Sequence, residues 1–480
     1  MSNILYCRGY YLTNRNVEVL PDSFNKLVLD NEFVFYYHNW LDVAICRNQK
    51  DFVVVAGLCL DLLSENSDNY LIASRLLSEL IYNGEDAFHD YIDHLSGTYI
   101  LITSHNSNMK IYTDACAMKS VFYTDISVYP LVISSHLEMI LDFSGIKREL
   151  SDIYRNKPKH ISYEYGYPGI TTKYKDIRQL LPNVYLDVRK NKIIRYFPRK
   201  DLIVNNCIED IAESLVVQLQ KQFKLLQEKN YEQILLSVTA GQDSRCTLAS
   251  LRPFWDDISF FTYNLDGKHE KDIIVSKDIV QRLGIKNYNE LILTSKNCES
   301  TDFLEFCNIL NRNTIYNHGK KIAFFYKNKL SSFYRPNNSL HIRSNLAEIG
   351  RLYYGIFAYY WEMTANNATV LDKVLRAYHP YAQNEEEVKN AFIEFIETHN
   401  FLSLKNYDVF DMFYWEHRMG IWMSQVLIEG DPAFETINLY NCRDILKKML
   451  SVPLKDRFNN LVFLKIINER LPELEDLAIN

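Results

Sequence analysis

The sequence predicts an α+β amino-terminal half followed by an α/β half with a parallel sheet and a helical carboxyl end. Three observations predict it. Short β-prone runs bounded by turn residues crowd the first 200 residues. After residue 230, apolar runs of strand length alternate with helical patterns, the order that builds a parallel sheet. From Ile356 onward helical periodicity dominates.

In the first half the strand candidates are Phe33 to Tyr37, Phe52 to Gly57, Gly97 to Ser104, Met109 to Thr113 and Leu131 to Ser135. One stretch, Tyr70 to Tyr82, interrupts them with Leu71, Ile72, Leu76, Leu77, Leu80 and Ile81 at helical spacing. Asn183 to Val188 alternates through Val184, Leu186 and Val188, and a turn at Arg189–Lys192 leads into Ile193 to Tyr196. Pro198 to Val204 is the expected linker, giving domains 1–200 and 201–480. The second half opens with an amphipathic helix, Ile208 to Lys229. Tyr231 to Val238 then reads as a buried strand, Ile258 to Tyr263 as another, and Asp272 to Leu283 as the helix after it.

Composition excludes several classes. The 480 residues are 47% apolar, which is ordinary for a folded chain. With 53 Lys and Arg against 60 Asp and Glu, the formal charge is −7 and the two signs are interspersed, which argues against a broad nucleic-acid surface. No run of 18 apolar residues and no secretory leader pattern is visible, so neither a membrane partner nor export is expected. Nine cysteines without C-x-x-C or zinc spacing read as reduced thiols of a cytoplasmic protein. Glycine is scarce, at 15 copies, against 34 tyrosines.

The sharpest local signal is Ser237-Val238-Thr239-Ala240-Gly241-Gln242-Asp243-Ser244, where an apolar strand turns into a helix. A helix start there offers N–H groups and a favourable dipole to an anion. Thr239 and Ser244 can donate hydroxyl hydrogen bonds, Gly241 admits close approach, and Asp243 can hold Mg²⁺ beside phosphate. The Walker lysine and spacing are absent. The purely structural alternative is a capped helix after a strand.

The T-A-G-Q-D-S run resembles the S-G-G-x-D-S pyrophosphate loop of the asparagine synthetase family. Further segments fit in order. Phe260 to Tyr263 with Asp266 to Asp272 resembles its second strand–loop–helix. Leu340 to Gly350 resembles its S-G-E-G-A-D-E segment, and Trp415 to Met419 with Ile437 to Leu446 and Pro453 resembles its closing region. The resemblance implies a PP-loop synthetase domain that uses ATP and Mg²⁺. Nucleotide contacts would come from Ser237, Thr239, Ala240, Gly241, Gln242, Asp243, Ser244, Tyr263 and Lys268. It implies Mg²⁺ on Asp243 and Glu348, and catalytic roles for Asp243, Glu348 and Asn345. Asn345 stands where the family has a Glu, and Ser344 and Leu346 stand where it has glycines. The structural alternative at Glu348 is an ion pair with Arg351. Lys455 and Lys465 are the two candidates for the family's late catalytic lysine.

The family's amino-terminal half is a glutaminase of the amino-terminal-nucleophile type. Here Leu95 to Ile100, Ile111 to Tyr123 and Tyr167 to Leu186 resemble that scaffold. Its chemistry is altered: Ser2 replaces the cysteine nucleophile, and Ala56-Gly57 stands where an Asn-Gly oxyanion donor is expected. Cys7 is not at the terminus. The expectation is therefore a degenerate Ntn-amidotransferase-like sandwich followed by an ATP-dependent carbon–nitrogen ligase. It would join a small-molecule or peptide carboxylate to an amine through an acyl-adenylate, with the amine not supplied by its own glutaminase. β-Lactam synthetases, lasso-peptide cyclases and relatives in surface-polysaccharide pathways suggest a specialised pathway. The rivals are a nucleotide-binding pseudoenzyme or scaffold and an ammonia-dependent asparagine synthetase. A homodimer or a pathway-protein partner fits any of them.

Overall fold

The computed structural model describes residues 2–477 apart from 16, 18–19, 126–127, 129, 164–165, 266, 268–269, 294–300, 316–336 and 355–367; the side chains of Ser2, Leu265 and Leu293 are also outside the description. Among the described residues, the first 200 positions supply strands β1 (Tyr10–Thr13), β2 (Phe24–Val28), β3 (Val34–His38), β4 (Val43–Asn48), β5 (Asp51–Asp61), β6 (Leu95–His105), β7 (Asn108–Thr113), β8 (Phe122–Thr124), β9 (Val132–Ser134), β10 (Ile177–Gln179), β11 (Val184–Asp187) and β12 (Lys192–Arg195). They form two six-stranded sheets, in the orders β10-β8-β9-β1-β3-β2 and β12-β11-β7-β6-β5-β4.

The two sheets face each other across an apolar layer that includes Tyr10, Phe35, Val54, Ile100, Ile111 and Ile133. Period-two alternation explains the assignment. On β5, Phe52, Val54 and Ala56 point into this layer. Val53 and Val55 point to the other face, where they meet Ile72, Leu76 and Leu77 of the helix Asn69–Ser78. The outer face of the first sheet packs Tyr11, Phe122 and Val132 on Leu137, Met139 and Ile140 of the helix Leu137–Ser144. The layering is thus helix, sheet, sheet, helix.

The helix expected over Tyr70–Tyr82 starts where Asp68 accepts hydrogen bonds from Tyr70 N and Leu71 N, at 2.7 and 3.0 Å. It stays α-helical to Ser78, widens to π-type turns over Glu79–Asn83, and restarts at Gly84 with φ +84°. The turn expected at Arg189–Lys192 joins β11 and β12 antiparallel, with Asn191 at φ +47°.

In the second half the helix Ile208–Gln227 precedes a five-stranded sheet: β13 (Gln233–Ser237), β14 (Ser259–Leu265), β15 (Tyr288–Leu293), β16 (Ser339–Arg343) and β17 (Glu435–Asn438). Its order is β15-β14-β13-β16-β17 and every pairing is parallel. The protein is thus a mixed α/β chain with several sheets. Helices dominate the described residues from Val370 onward, as periodicity predicts.

The largest apolar cluster draws on both halves, from Val53, Leu76 and Tyr112 to Leu219, Leu236, Ile342 and Ile445. Buried hydrogen bonds knit the halves further. Ser96 Oγ donates to Gln222 Oε1 at 2.6 Å, Gln222 Nε2 donates to Leu439 O at 2.7 Å, and Thr98 Oγ1 donates to Thr436 O at 3.1 Å. Among the described residues no helix is long and apolar enough to cross a membrane, and the eight described cysteines form no disulfide.

Candidate active site

Strand β13 is central, and the chain moves to β14 and β15 on one side of it and to β16 and β17 on the other. Open parallel sheets bind ligands at the carboxyl ends of their strands, where the order reverses. A cleft of about 230 Å³ lies there. The end of β13 and its loop line it with Ser237, Thr239, Gly241, Asp243 and Ser244; β14 adds Tyr263, and the β16 end adds Arg343 and Asn345.

The loop is held by its own polar groups. Thr239 and Ser244 hydroxyls lie 2.8 Å apart, and Thr239 N donates to Ser244 Oγ at 3.3 Å. Gly241 N donates to Thr239 Oγ1, also at 3.3 Å, a long and releasable bond. Ala240 N donates to Asp272 Oδ1 at 2.9 Å. The helix Gln242–Ser250 starts here, and its first N–H groups have no intrahelical acceptor. Gly241 has φ −73°, and a Cβ on it would meet only Thr239 Oγ1 at 3.5 Å, an ordinary contact. Backbone geometry does not demand glycine at this position.

Asp243 is the electrostatic centre. Burial, then the neighbouring Glu348 charge, push its carboxyl well above the usual range, while Arg351 pulls it down. Arg351 Nη2 donates to Asp243 Oδ2 at 2.8 Å and Nη1 to Gln242 Oε1 at 3.4 Å. The expected Glu348–Arg351 pair is therefore replaced by Arg351–Asp243: the tight turn Ala347–Arg351 points both side chains at the loop helix. Asp243 Oδ1 and Glu348 Oε2 are buried and take no donor from the rest of the described chain; the two carboxyls hydrogen-bond to each other. Two such oxygens suit a hard divalent cation whose remaining ligands are phosphate and water, so the residues present fit Mg²⁺.

Asn345 lines the cleft as placed. Its Oδ1 accepts from Arg343 Nε at 3.2 Å, its Nδ2 reaches Glu348 Oε1 at 3.5 Å, and its carbonyl accepts from Asn438 Nδ2. Leu346, in a position where the family has glycine, takes φ +75° and is fully buried. A non-glycine residue in that region costs about 1–2 kcal/mol, which its packing offsets.

Of the sequence-predicted set, Ser237, Thr239, Gly241, Asp243, Ser244, Tyr263 and Asn345 line the cleft. Ala240 N donates to Asp272 in its wall, Gln242 accepts from Arg351 behind it, and Glu348 bonds to Asp243. Lys268 lies outside the described residues. Tyr353 and Tyr354 pack on Tyr414 with ring centroids 4.4 and 5.4 Å away. Lys455 is exposed, and Lys465 pairs with Glu209 and Glu469 at the surface, so neither late-lysine candidate is at the cleft.

Sequence reasoning missed Asp272, Thr262, His341, Arg343 and Ser344 as cleft residues. Asp272 carried a signal, an acid in the first turn of the helix Glu270–Leu283. His341 carried none. It sits between Phe261 and Phe434 with neither ring nitrogen hydrogen-bonded, and burial holds its pKa well below the usual value.

The amino-terminal candidates occupy different surroundings. Cys7 is fully buried, and burial pushes its thiol well up, away from the thiolate. Gly57 N donates to Asp42 O at 2.8 Å and Gly57 O accepts from Asn69 Nδ2 at 2.8 Å, so the expected oxyanion position is committed to structure. The Ser2 side chain is outside the description. Glu416 of the closing segment is buried against Arg195, at 2.7 and 2.8 Å, and accepts from Asn183, which ties β12 to the helical part.

Comparison with known proteins adds little. No family model matches the chain, and no curated protein matches it. Among solved structures, one described as the allosteric regulatory enzyme of purine biosynthesis aligns at 12% identity with a TM-score of 0.23. The alignment takes in 49% of this chain and 56% of the solved one, so this chain spans little more than half of that protein's length. Similarity at that level carries no functional argument.

Proposed function

We propose that the protein is an ATP-dependent amide-forming ligase that works through an acyl-adenylate and releases AMP and pyrophosphate. The observation that carries the reading is the crowded carboxyl pair Asp243 and Glu348, whose facing oxygens take no donor but each other, beside a hydroxyl-lined loop at the carboxyl end of a central parallel strand. A strongly perturbed carboxyl pair at a cleft marks a ligand site, and this combination suits a metal-bound phosphate chain.

A substrate carboxylate oxygen attacks the α-phosphorus of ATP, and the bond to the β-phosphate oxygen breaks. Pyrophosphate leaves carrying the electron pair. The hydroxyls of Thr239 and Ser244 and the first-turn N–H groups of the helix from Gln242 would hold its oxygens where charge develops. Asp243 and Glu348 would hold Mg²⁺, which when bound neutralises phosphate charge. An amine nitrogen then attacks the acyl carbon, AMP leaves, and the amine proton passes to solvent. Asn345 and Arg343 form the wall facing the acyl group. Asn345 cannot ionise, so it positions by hydrogen bonding and does not accept that proton. The altered acyl wall is the reason to look beyond aspartate, and the committed Gly57 N–H supports an amine from outside the amino-terminal half.

The second reading, a nucleotide-binding scaffold, is favoured by the Arg351–Asp243 bond, which engages one oxygen of the proposed metal ligand. Pyrophosphate release from ATP, measured over a panel of carboxylates and amines, separates the two. A ligase releases pyrophosphate only with its acid present, and Asp243→Ala abolishes the release. Nucleotide binding with no turnover across the panel would favour the scaffold.

A further inference from the structure

On the β16 side, the wall of the cleft carries polar atoms that the described chain leaves unsatisfied. His341 and Arg343 alternate with Leu340 and Ile342, which face the core, so both side chains stand on the cleft face of the strand. His341 is 2% exposed, and neither Nδ1 nor Nε2 has a hydrogen-bond partner. Ser344 Oγ, just past the strand, is also buried without a partner. Among the described residues that line the cleft, Arg343 is the one cation. Its Nε donates to Asn345 Oδ1 at 3.2 Å, and its Nη groups meet no acceptor among the described residues. Glu429, on the helix Ser424–Gly430, faces Arg343, but burial pushes its carboxyl up to about 9, so near neutral pH it keeps its proton. The remaining acids are engaged elsewhere. Asp243 and Glu348 bond to each other, and Asp272 stands across β13, where it accepts from Ala240 N.

We infer that this wall binds a polyhydroxylated carboxylic acid without a free amino group, Arg343 holding the carboxylate and His341 and Ser344 holding hydroxyls. The inference rests on the ligase reading above and names its acid. A guanidinium presents paired N–H groups that match a carboxylate, and Asn345 fixes its plane. Burial keeps His341 neutral, with one ring nitrogen as donor and the other as acceptor. A hydroxyl both gives and takes a hydrogen bond, so it can satisfy either nitrogen; a methylene satisfies neither. Residues two apart on a strand stand about 6.6 Å apart, a distance that one six-carbon acid spans from its carboxylate to a distal hydroxyl. An amino acid fits poorly, because its ammonium would lie beside Arg343 and a protonated Glu429 with no free anion to receive it.

The test titrates glucuronate, galacturonate, cyclohexanecarboxylate and aspartate into the full chain by calorimetry, beside pyrophosphate release from ATP with Mg²⁺ and ammonia. The parent is expected to bind a hexuronate at least about tenfold more tightly than either cyclohexanecarboxylate or aspartate, since a site built for hydroxyls rejects an acid that lacks them. In His341→Phe that preference falls to within about twofold while cyclohexanecarboxylate still binds, and His341→Gln, which keeps a donor and an acceptor, retains most of it. Arg343→Met weakens every acid about tenfold or more, and Arg343→Lys recovers part of the loss. Aspartate or cyclohexanecarboxylate bound as tightly as the hexuronates, no acid bound at all, or a preference unchanged in His341→Phe would overturn the inference. Pyrophosphate released with aspartate and not with a hexuronate would also overturn it and leave the ligase standing. Hexuronate binding with the expected preference, but no pyrophosphate from any acid, would leave this pocket standing and count against the ligase.

Discussion

Two aspartates beyond strand ends, Asp114 fully buried and Asp243 partly buried, behave in opposite ways. Asp114 follows β7 in the antiparallel half. It accepts from the backbone N–H groups of Tyr99, Cys116, Met118 and Lys119 and from Asn441 Nδ2, at 2.8 to 3.3 Å. Asp243 follows β13 in the parallel half. It accepts from Arg351 at Oδ2 and is otherwise pressed against the Glu348 carboxyl. Both are desolvated, and burial raises the pKa of each. The difference lies in what surrounds them: backbone and amide donors saturate Asp114, whereas Asp243 faces a second carboxyl, which on the proposed function a cation would complete. A donor-saturated buried carboxylate is a fastener, and a carboxyl pair beside a cleft is a candidate site.

The comparison can be broken most forcefully at Asp243. Replacing it with alanine should lower pyrophosphate release by a factor on the order of 10³ or more, with melting temperature little changed. Turnover that survives the substitution would remove Asp243 from the mechanism. Asp114→Ala should do the reverse. It orphans five donors and should cost on the order of 4 kcal/mol in urea unfolding; a loss below about 1 kcal/mol would mean that the aspartate is not a fastener.

Gly241→Ala sharpens the same contrast. The protein's own packing accepts the methyl group, since its nearest neighbour would be 3.5 Å away. Stability should hold within about 0.5 kcal/mol, as for substitutions clear of any packing conflict, while ATP affinity falls about tenfold, because ligand rather than backbone needs the space. Equal affinity in calorimetry would show that phosphate does not approach this residue.

Glu429 tests the electrostatics of the acyl side through pH. Burial pushes its carboxyl up to about 9, against the pull of Arg343. A folded pKa above the unfolded value of about 4.3 means that the native state holds the proton more tightly. Stability from this group is full at low pH and is lost as pH rises toward 9. Glu429→Gln should match the parent near pH 4 and exceed it progressively from pH 5 to 9 in denaturant melts. Parallel pH profiles would show that Glu429 is not desolvated as described. The smallest effect is expected at Lys455 and Lys465: alanine at either should leave pyrophosphate release within about twofold, because exposed ion pairs contribute little and neither lysine is at the cleft.

Much of this was legible in the sequence, for physical reasons. Continuous β-prone apolar runs in β5 and β6 and helical spacing in Asn69–Ser78 and Ile208–Gln227 are one-dimensional signals of burial, and they placed those elements, though β5 runs on past Gly57 to Asp61. The loop from Ser237 to Ser244 was legible because strand, turn and helix are contiguous. Short strands such as β1, β4 and β17 were not, since four to six residues carry too little periodicity to separate from a loop. Arg351 was illegible as a site residue, and Asp272 was legible only as a first-turn acid, because their partners, Asp243 and Ala240 N, lie 108 and 32 positions away. Sequence proximity pointed Arg351 at Glu348, whereas the turn carries it to Asp243. His341 gave no sign at all, because a histidine in an apolar strand reads as core.

Calorimetric titration of ATP with Mg²⁺ into the full chain, beside Asp243→Ala, tests the central claim most directly. The account predicts saturable one-to-one binding to the parent and at least a hundredfold loss in the variant, about 2.7 kcal/mol. Equal binding by the two proteins, or none by the parent, would contradict it.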